Sequence, residues 1–477
     1  MQIVLILLVA LVYVADEAAS WAPWPAAESW SAGMRIGVTI GAMAGLAVAV
    51  SGALVACRRR LERRGSWRAA MFAERAVALG VWTLLGLHAF GVIALGFVGA
   101  IRAVTGDLIL VDEVLALLPA LVTIVLWWSG QYPIHRRVRE AALMRNLDQG
   151  KPVYPIWTRG QYLLTQARLH FVLILAPVLV IMGWSEVVER YWPWSTLGPL
   201  EEGAVEFAAL VVGAGVVFLV APVMIRMLWD TAPLAPGDLR DRLERLLVAQ
   251  GVRVRRILVW NTYGMMVNGA VVGAIGPLRY VLLSDALLDG LDDDQVEAVT
   301  AHEVAHIRRR HLPWLALCII AIFGVTGAAV DAGLSWWYRD LPAPPESMGW
   351  ADGVAGLALI GISLVAFGWI SRRFERQADT FATQALSGMT RRTREPVTIS
   401  AEAVETMSRA LGIVCDLNHA SREAKSWRHG SIAWRQRYLR SLVGARADRV
   451  SIDRLVRWIK RGALAALFGL IAWSWWW

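Results

Sequence analysis

Apolar residues in this chain fall into long blocks, and the period of the pattern changes between them. Eight blocks read as membrane-spanning helices, which need about 20 mostly apolar residues: 35–56, 76–101, 109–128, 168–189, 204–228, 312–337, 352–370 and 462–477. A ninth, Met1 to Ala15, is apolar from its first residue. It has no basic segment at its start, and Tyr13 comes just before Ala15 where cleavage wants a small residue, so it reads as a retained anchor. The expectation is a predominantly α, polytopic helical membrane protein of about nine spans.

Between the sixth and seventh spans the pattern shortens. Pro233, Pro236 and Gly237 make a linker, and in 238–250 the residues Leu239, Leu243, Leu246 and Leu247 share one helical face. Val252 to Trp260, Met265 to Ile275 and Tyr280 to Leu283 read as strands, the last two joined by a turn at Gly276-Pro277-Leu278. A small mixed sheet is therefore expected just before a further helix that opens at Asp292. Asp292 with Gln295 forms a capping-box pattern, Asp292 to Asp294 favour a helix N-terminus, and Arg308 to Arg310 favour its C-terminus.

Charge then orients the spans. Residues 58–75 carry seven Arg, residues 129–166 carry five Arg and Lys151, and 229–311 and 371–460 are also Arg-rich. The intervening loops 16–34 and 191–202 have no Lys or Arg, and 338–351 has Arg339 alone. The alternation suits nine spans and, by the positive-inside rule, puts 229–311 and 371–460 at the cytoplasmic face. The domain reading is a membrane region over 1–228, a first catalytic half over 229–311, a membrane hairpin over 312–370, a second half over 371–460 and a terminal membrane segment over 461–477. His88, His170 and Glu206 fall within or at the edges of spans, with no partner nameable from the sequence.

Composition agrees: 57% of the 477 residues are hydrophobic and 18% charged, and many of the 25 Trp stand at the ends of apolar runs. The net charge of +9 is concentrated in loops, without an aromatic-interleaved basic motif or zinc-finger spacing, which argues against a nucleic-acid partner. Three scattered Cys with no C-x-x-C indicate neither a disulfide framework nor a thiolate metal site. The preference for Arg over Lys, of which there are three, points to a bacterial chain and an inner-membrane location.

The chemistry centres on His302-Glu303-Val304-Ala305-His306. Two His four residues apart on a helix point the same way and can share one metal ion, with the adjacent Glu303 beside it as a general base for water. A catalytic zinc usually has a third protein ligand and an open position. His311 lies nine residues beyond His302. On a continuous helix it faces the opposite side, and it is read as a helix-end or interfacial His. Glu375, in the helical pattern of Arg372 to Asp379, is the better candidate, with Asp379 on the same face to fix a ligand His. Periodicity alone favours an exposed charged helix with Glu and Arg pairing locally. What favours Glu375 is the membrane hairpin, which returns the chain to the side of His302.

H-E-V-A-H, two spans and F-E-R-Q-A-D together resemble the integral-membrane gluzincins, the CAAX prenyl endopeptidases and HtpX-type heat-shock proteases, over about 229–440. The resemblance implies a zincin-like α+β catalytic domain, split by the membrane hairpin. It implies one Zn2+ per chain held by His302, His306 and Glu375, with Glu303 as base and Asp379 as companion. It also implies that Val267-Asn268-Gly269-Ala270, leading to Arg279 to Asp285, is an edge strand that binds substrate backbone. Gly269 stands where the family more often has Ala. Trp427 to Arg435 resembles the family's H-P-x-x-x-x-R segment, which makes His429 an oxyanion stabiliser and Arg435 a brace, with Gly430 in place of Pro. The partners implied are a peptide or protein substrate and the lipid bilayer. The expected activity is zinc-dependent hydrolysis of peptide bonds in membrane-associated or misfolded proteins. The alternatives are a processing protease for one lipidated or membrane-anchored substrate, and a non-catalytic metal-binding sensor or scaffold. A transporter is a further class, with no internal repeat in its favour.

Overall fold

The computed structural model describes the chain except residues 1, 16–23, 25–26, 28, 149, 151–152, 193–197, 265, 274, 340–348, 419 and 475–477. Two compact units divide it, Met1–Trp229 and Asp230–Trp477.

The first unit is helical: α1 (Gln2–Tyr13), α2 (Ala32–Arg64), α3 (Trp67–Leu95), α4 (Phe97–Thr105), α5 (Val111–Asp148), α6 (Arg159–Gln166), a π-helical turn over Ala167–Val172, α7 (Leu173–Tyr191) and α8 (Pro199–Leu228). Ser31 caps α2 by accepting from the Met34 N–H, and Gly65, at φ 59°, ends it after Arg63 and Arg64. The core is apolar side chains, with Leu5, Leu54, Leu84 and Trp127 fully buried. Trp127 fits because Gly80 has no side chain: a Cβ there would lie 3.1 Å from the indole. The Trp127 N–H donates to the Ala47 carbonyl at 3.3 Å. His88 is fully buried, edge-on to Phe97, and His170 lies in the π turn beside Trp128. The Glu206 side chain lies outside the described residues.

The second unit holds β1 (Thr231–Pro233), α9 (Asp238–Ala249), β2 (Arg256–Trp260), β3 (Gly269–Val272), a 3-10 turn at Gly276–Leu278, β4 (Tyr280–Ser284), α10 (Asp285–Gly290), α11 (Asp293–Arg308), α12 (His311–Tyr338), α13 (Gly349–Leu386), α14 (Ala401–Leu417), α15 (Ile432–Arg440) and α16 (Ser451–Ser474). The sheet order is β1-β2-β4-β3. β2 and β4 are parallel, while β1 and β3 are antiparallel to their neighbours, so the sheet is mixed. β3 lies at one edge, with Gly269 opposite Leu283 and Val272 opposite Tyr280. The strands are shorter than the apolar runs that predict them. β1, read from sequence as linker, is an edge strand in which Pro233 is tolerated because an edge residue can do without one N–H.

The core of this unit joins Val281 and Leu283 of β4 to α11, α13 and α14. The contacts of α11 are small: Ala298, Ala301 and Ala305 are fully buried, as are Ala378 and Ala382 of α13. Alanine faces let helix axes approach closely, which is what brings carboxylates on α13 within reach of imidazoles on α11. Deeper in the apolar segments, α12 and α16 also approach closely: a Cβ at Gly324 would sit 2.4 Å from Leu470.

Among the described residues, six helices are long and apolar enough to cross a membrane: Ala32–Arg64, Trp67–Leu95, Val111–Arg145, Arg159–Tyr191, Val211–Leu228 and His311–Tyr338. They overlap six of the nine expected spans. The span expected over 1–15 falls on α1, whose 12 residues reach about 18 Å, short of a bilayer core of about 30 Å. That over 352–370 lies within the 38-residue α13, which continues past the apolar block into the charged segment carrying Glu375. That over 462–477 belongs to α16, and residues 475–477 lie outside the described residues.

Candidate metal centre and cleft

Helix α11 begins with the expected reciprocal cap: Asp292 accepts from the Gln295 N–H at 2.9 Å, and Gln295 accepts from the Asp292 N–H at 3.3 Å. The helix presents His302 and His306 on one face, with their Nε2 atoms 3.3 Å apart. Glu375 of α13 completes the group, 3.6 Å from His302 Nε2 through one oxygen and 3.9 Å from His306 Nε2 through the other. Among the described residues, these three form the group of His and carboxylate donors that could hold a metal ion, all within 4.8 Å of one another. Three donors about 2.05 Å from one tetrahedral zinc are separated by about 3.4 Å, so the set fits that ion in geometry as well as donor chemistry.

The atoms facing away from this centre are also occupied. Nδ1 of His302 is 2.9 Å from Asp379 Oδ1, a charge contact lying off the direction of a linear hydrogen bond. Asp379 is fully buried and receives two N–H donors from Arg435, at 2.7 and 2.6 Å. A further Arg435 nitrogen is 3.7 Å from Glu375. His429, on the exposed loop before α15, has Nδ1 3.1 Å from the Glu375 carboxylate. Trp427 anchors that loop: its indole donates to the Leu364 carbonyl at 3.2 Å and lies where Gly368 lacks a side chain. Gly430 sits at φ 76°. Proline, fixed near −65°, cannot adopt that angle, which accounts for glycine here where the related motif has Pro.

His311 differs from its sequence reading. The chain leaves α11 through Arg310 in the left-handed conformation at φ 53°, and a new helix starts at His311. Extrapolating one continuous helix past that break fails. His311 is fully buried, its Nδ1 3.1 Å from His306 Nδ1 and its Nε2 2.9 Å from Gln377 Oε1. Gln377 donates to Asp453 at 2.6 Å, and Asp453 also receives Arg309 at 3.1 Å. Both imidazoles of the centre therefore have a structured partner at the second ring nitrogen. Sequence spacing could not find this chain, because Asp453 comes from the distant α16.

The electrostatics favour the cation at His302 but not at His306, which burial and then the charge of His302 push down to about 4. Burial disfavours the His302 cation, yet Asp379 and Glu375 outweigh it and push the imidazole up to about 10. Burial also works against ionised Glu375, but His302, His429 and Arg435 hold its carboxyl well below the usual range. Glu303, beside the centre, is pushed up to about 7, first by burial and against the pull of His302, with Glu375 adding repulsion. The Val271 N–H of β3 faces its carboxylate.

A cleft of about 870 Å³ runs past these groups. Asn268, Gly269 and Ala270 line one side, together with His302 and Glu303. Met407 and Leu411 of α14 give an apolar wall, and Leu312 and Leu315 extend the lining to the start of α12. The outer surface of β3 thus lies along the cleft beside Glu303.

Residues 233–441 match Peptidase family M48. Over this stretch the chain is similar to the family M48 peptidases. The chain is 27% identical over 182 residues to a CAAX prenyl protease 1 homolog of Arabidopsis thaliana, covering 35% of this chain and 42% of that protein. It is 29% identical over 156 residues to Protease HtpX of Xylella fastidiosa, covering 30% of this chain and 50% of that protein. The chain thus matches about half the length, or less, of these curated relatives. The crystal structure of S. mikatae Ste24p aligns with 84% of this chain and 98% of that one, at TM-score 0.48 and 14% identity. With six helices of membrane-crossing length among the described residues and a stretch that matches family M48, the chain is an integral membrane protein.

Proposed function

We propose that this protein is a zinc-dependent endopeptidase that hydrolyses peptide bonds of membrane-associated or misfolded proteins at the cytoplasmic face of a bacterial inner membrane. The observation that carries the reading is the convergence of His302, His306 and Glu375 with Glu303 beside them, in a cleft bordered by a sheet edge. Arg-rich segments on both sides of the 312–370 hairpin support the cytoplasmic orientation. A lining that includes Leu312 and Leu315, at the start of an apolar helix of membrane-crossing length, suits a substrate held near the bilayer.

His302, His306 and Glu375 would hold one zinc ion. When bound, zinc supplies Lewis-acid polarisation of a carbonyl and acidifies water. Asp379 and Arg435 fix His302, while His311 and Gln377 fix His306, so neither ring must reorganise. Along the Asn268-Gly269-Ala270 edge, the outward backbone groups of Gly269 pair with an extended substrate and align its scissile bond by β-augmentation. Glu303 takes a proton from the attacking water on a carboxylate oxygen and returns it to the departing amine as the C–N bond breaks. His429 swings from Glu375 to donate to the oxygen of the scissile carbonyl.

The test uses purified full-length protein in detergent, with Glu303→Gln as the comparison. Wild type should carry one zinc per chain and cut an unfolded soluble protein. Glu303→Gln should keep the zinc and lose at least about a hundredfold in rate, the range for removing a general base. Substoichiometric zinc in wild type, or full proteolysis by Glu303→Gln, overturns the reading. Comparing an unfolded protein with a lipidated peptide separates broad clearance from dedicated processing.

A further inference from the structure

In an antiparallel ladder, alternate residues turn their N–H and C=O groups towards the neighbouring strand and away from it. Asn268 faces β4: its carbonyl accepts from the Ser284 N–H at 2.9 Å and its N–H donates to Ser284 Oγ at 3.0 Å. Val267, Gly269 and Val271 therefore face outward, along the edge that borders the cleft. These three positions are not equivalent. The Val271 N–H faces Glu303. At Val267 both backbone groups are already taken by one side chain: Asn418 Oδ1 accepts from the Val267 N–H at 3.0 Å, and Asn418 Nδ2 donates to the Val267 carbonyl at 2.8 Å. A carboxamide carries the same donor and acceptor as a peptide group. Asn418 thus makes the pair of bonds that the backbone of a docked strand would make there.

Asn418 is well placed to hold that position. It follows the last residue of α14, and its backbone and side-chain N–H groups both reach the Val414 carbonyl, at 3.2 and 2.9 Å. Met407 and Ala410 bury α14 in the core of the unit, so the amide is presented from a fixed support. Asn418 itself is exposed and lines the cleft.

We propose that the Asn418 carboxamide is a stop on the substrate-pairing edge, occupying the register position at Val267 and limiting an extended substrate to Gly269 and Val271 beside Glu303. The proposal rests on the protease reading above. It makes Asn418 a specificity residue for substrate register and not a catalytic one. A strand needs few pairs to dock under this arrangement, and chain beyond the stop must leave the edge.

The test is a peptide series with one central sequence, lengthened two residues at a time from either end. For wild type, KM should stop falling once Gly269 is paired, whichever peptide end lies towards Val267. In Asn418→Ala the next two residues at that end, and not at the other, should lower KM by roughly tenfold, the effect of about two recovered backbone hydrogen bonds. Asn418→Asp keeps the acceptor for the Val267 N–H but loses the donor, so it should fall between the two. It carries the comparison if Asn418→Ala fails to fold. Independently, hydrogen exchange on the Glu303→Gln protein should find the Val267 amide equally protected with and without peptide, while Gly269 gains protection only with peptide. Wild type that cuts none of the peptides overturns the protease reading and the stop with it. Wild-type cleavage with an unchanged length dependence in both variants overturns the stop alone, as does peptide-induced protection at Val267.

Discussion

The buried pair behind His302 gives the sharpest test of how this centre is held. Asp379 is fully buried and Arg435 is 5% exposed, and the two share hydrogen bonds of 2.7 and 2.6 Å. Replacing Arg435 with Met keeps much of its volume but removes the charge. Asp379 is then left with His302 as its charged neighbour, and Glu375 loses the guanidinium nitrogen 3.7 Å away. Removing one partner of a buried ion pair typically costs about 3–5 kcal/mol, because the survivor stays desolvated and uncompensated. That is a large share of a domain stability of about 5–15 kcal/mol. Asp379→Leu should cost less, because Arg435 keeps Glu375 as a neighbour. The double variant should recover most of the loss, since replacing both charges with apolar groups removes the desolvation penalty together with the attraction. Equilibrium unfolding of full-length protein in detergent, with chelator present throughout, measures all four corners of this cycle. An Arg435→Met loss under about 1 kcal/mol, or two single losses that simply add, would refute the claim that this pair is a mutually dependent buried brace.

Three further outcomes follow from the same structure. His311→Phe should weaken zinc binding by about 10- to 100-fold, because His306 loses the partner at its second ring nitrogen; competition with a zinc chelator reads this directly, and unchanged affinity would contradict the proposed role. Gly269→Ala puts a Cβ 2.8 Å from Val299 Cγ1 and should cost about 1–3 kcal/mol through overpacking; Val299→Ala in the same chain should restore most of it in an unfolding assay. Asp292→Ala removes the acceptor that caps α11 and should cost about 1 kcal/mol in the same assay, with Asp292→Asn losing only a fraction of that.

Local pattern was enough for much of this protein. The 238–250 period gives α9, with Leu243, Leu246 and Leu247 buried as the spacing implies. Asp292 and Gln295 mark the start of α11, and the i, i+4 spacing brings His302 and His306 together. Six of the nine apolar blocks mark helices of membrane-crossing length among the described residues, because bilayer thickness sets a length that a sequence can display. Each of these depends on contacts within a few residues, where backbone geometry is nearly fixed.

Other features depend on which distant segments meet. Thr231 to Pro233 forms a strand only because β2 offers an edge to it. Glu375 reaches His302 because the alanine faces of α11 and α13 allow close approach, a property of two helices and not of either pattern alone. His311 turned towards His306 because Arg310 breaks the helix, a single backbone rotation that periodicity cannot represent. Asn418 came to Val267 across 151 residues, carried by the packing of a whole helix. The sequence by itself determined the helices and the juxtaposition of His302, Glu303 and His306, through short-range geometry. The tertiary structure alone decided the partners behind each imidazole and the occupant of the sheet edge, because those contacts are chosen by how buried faces pack.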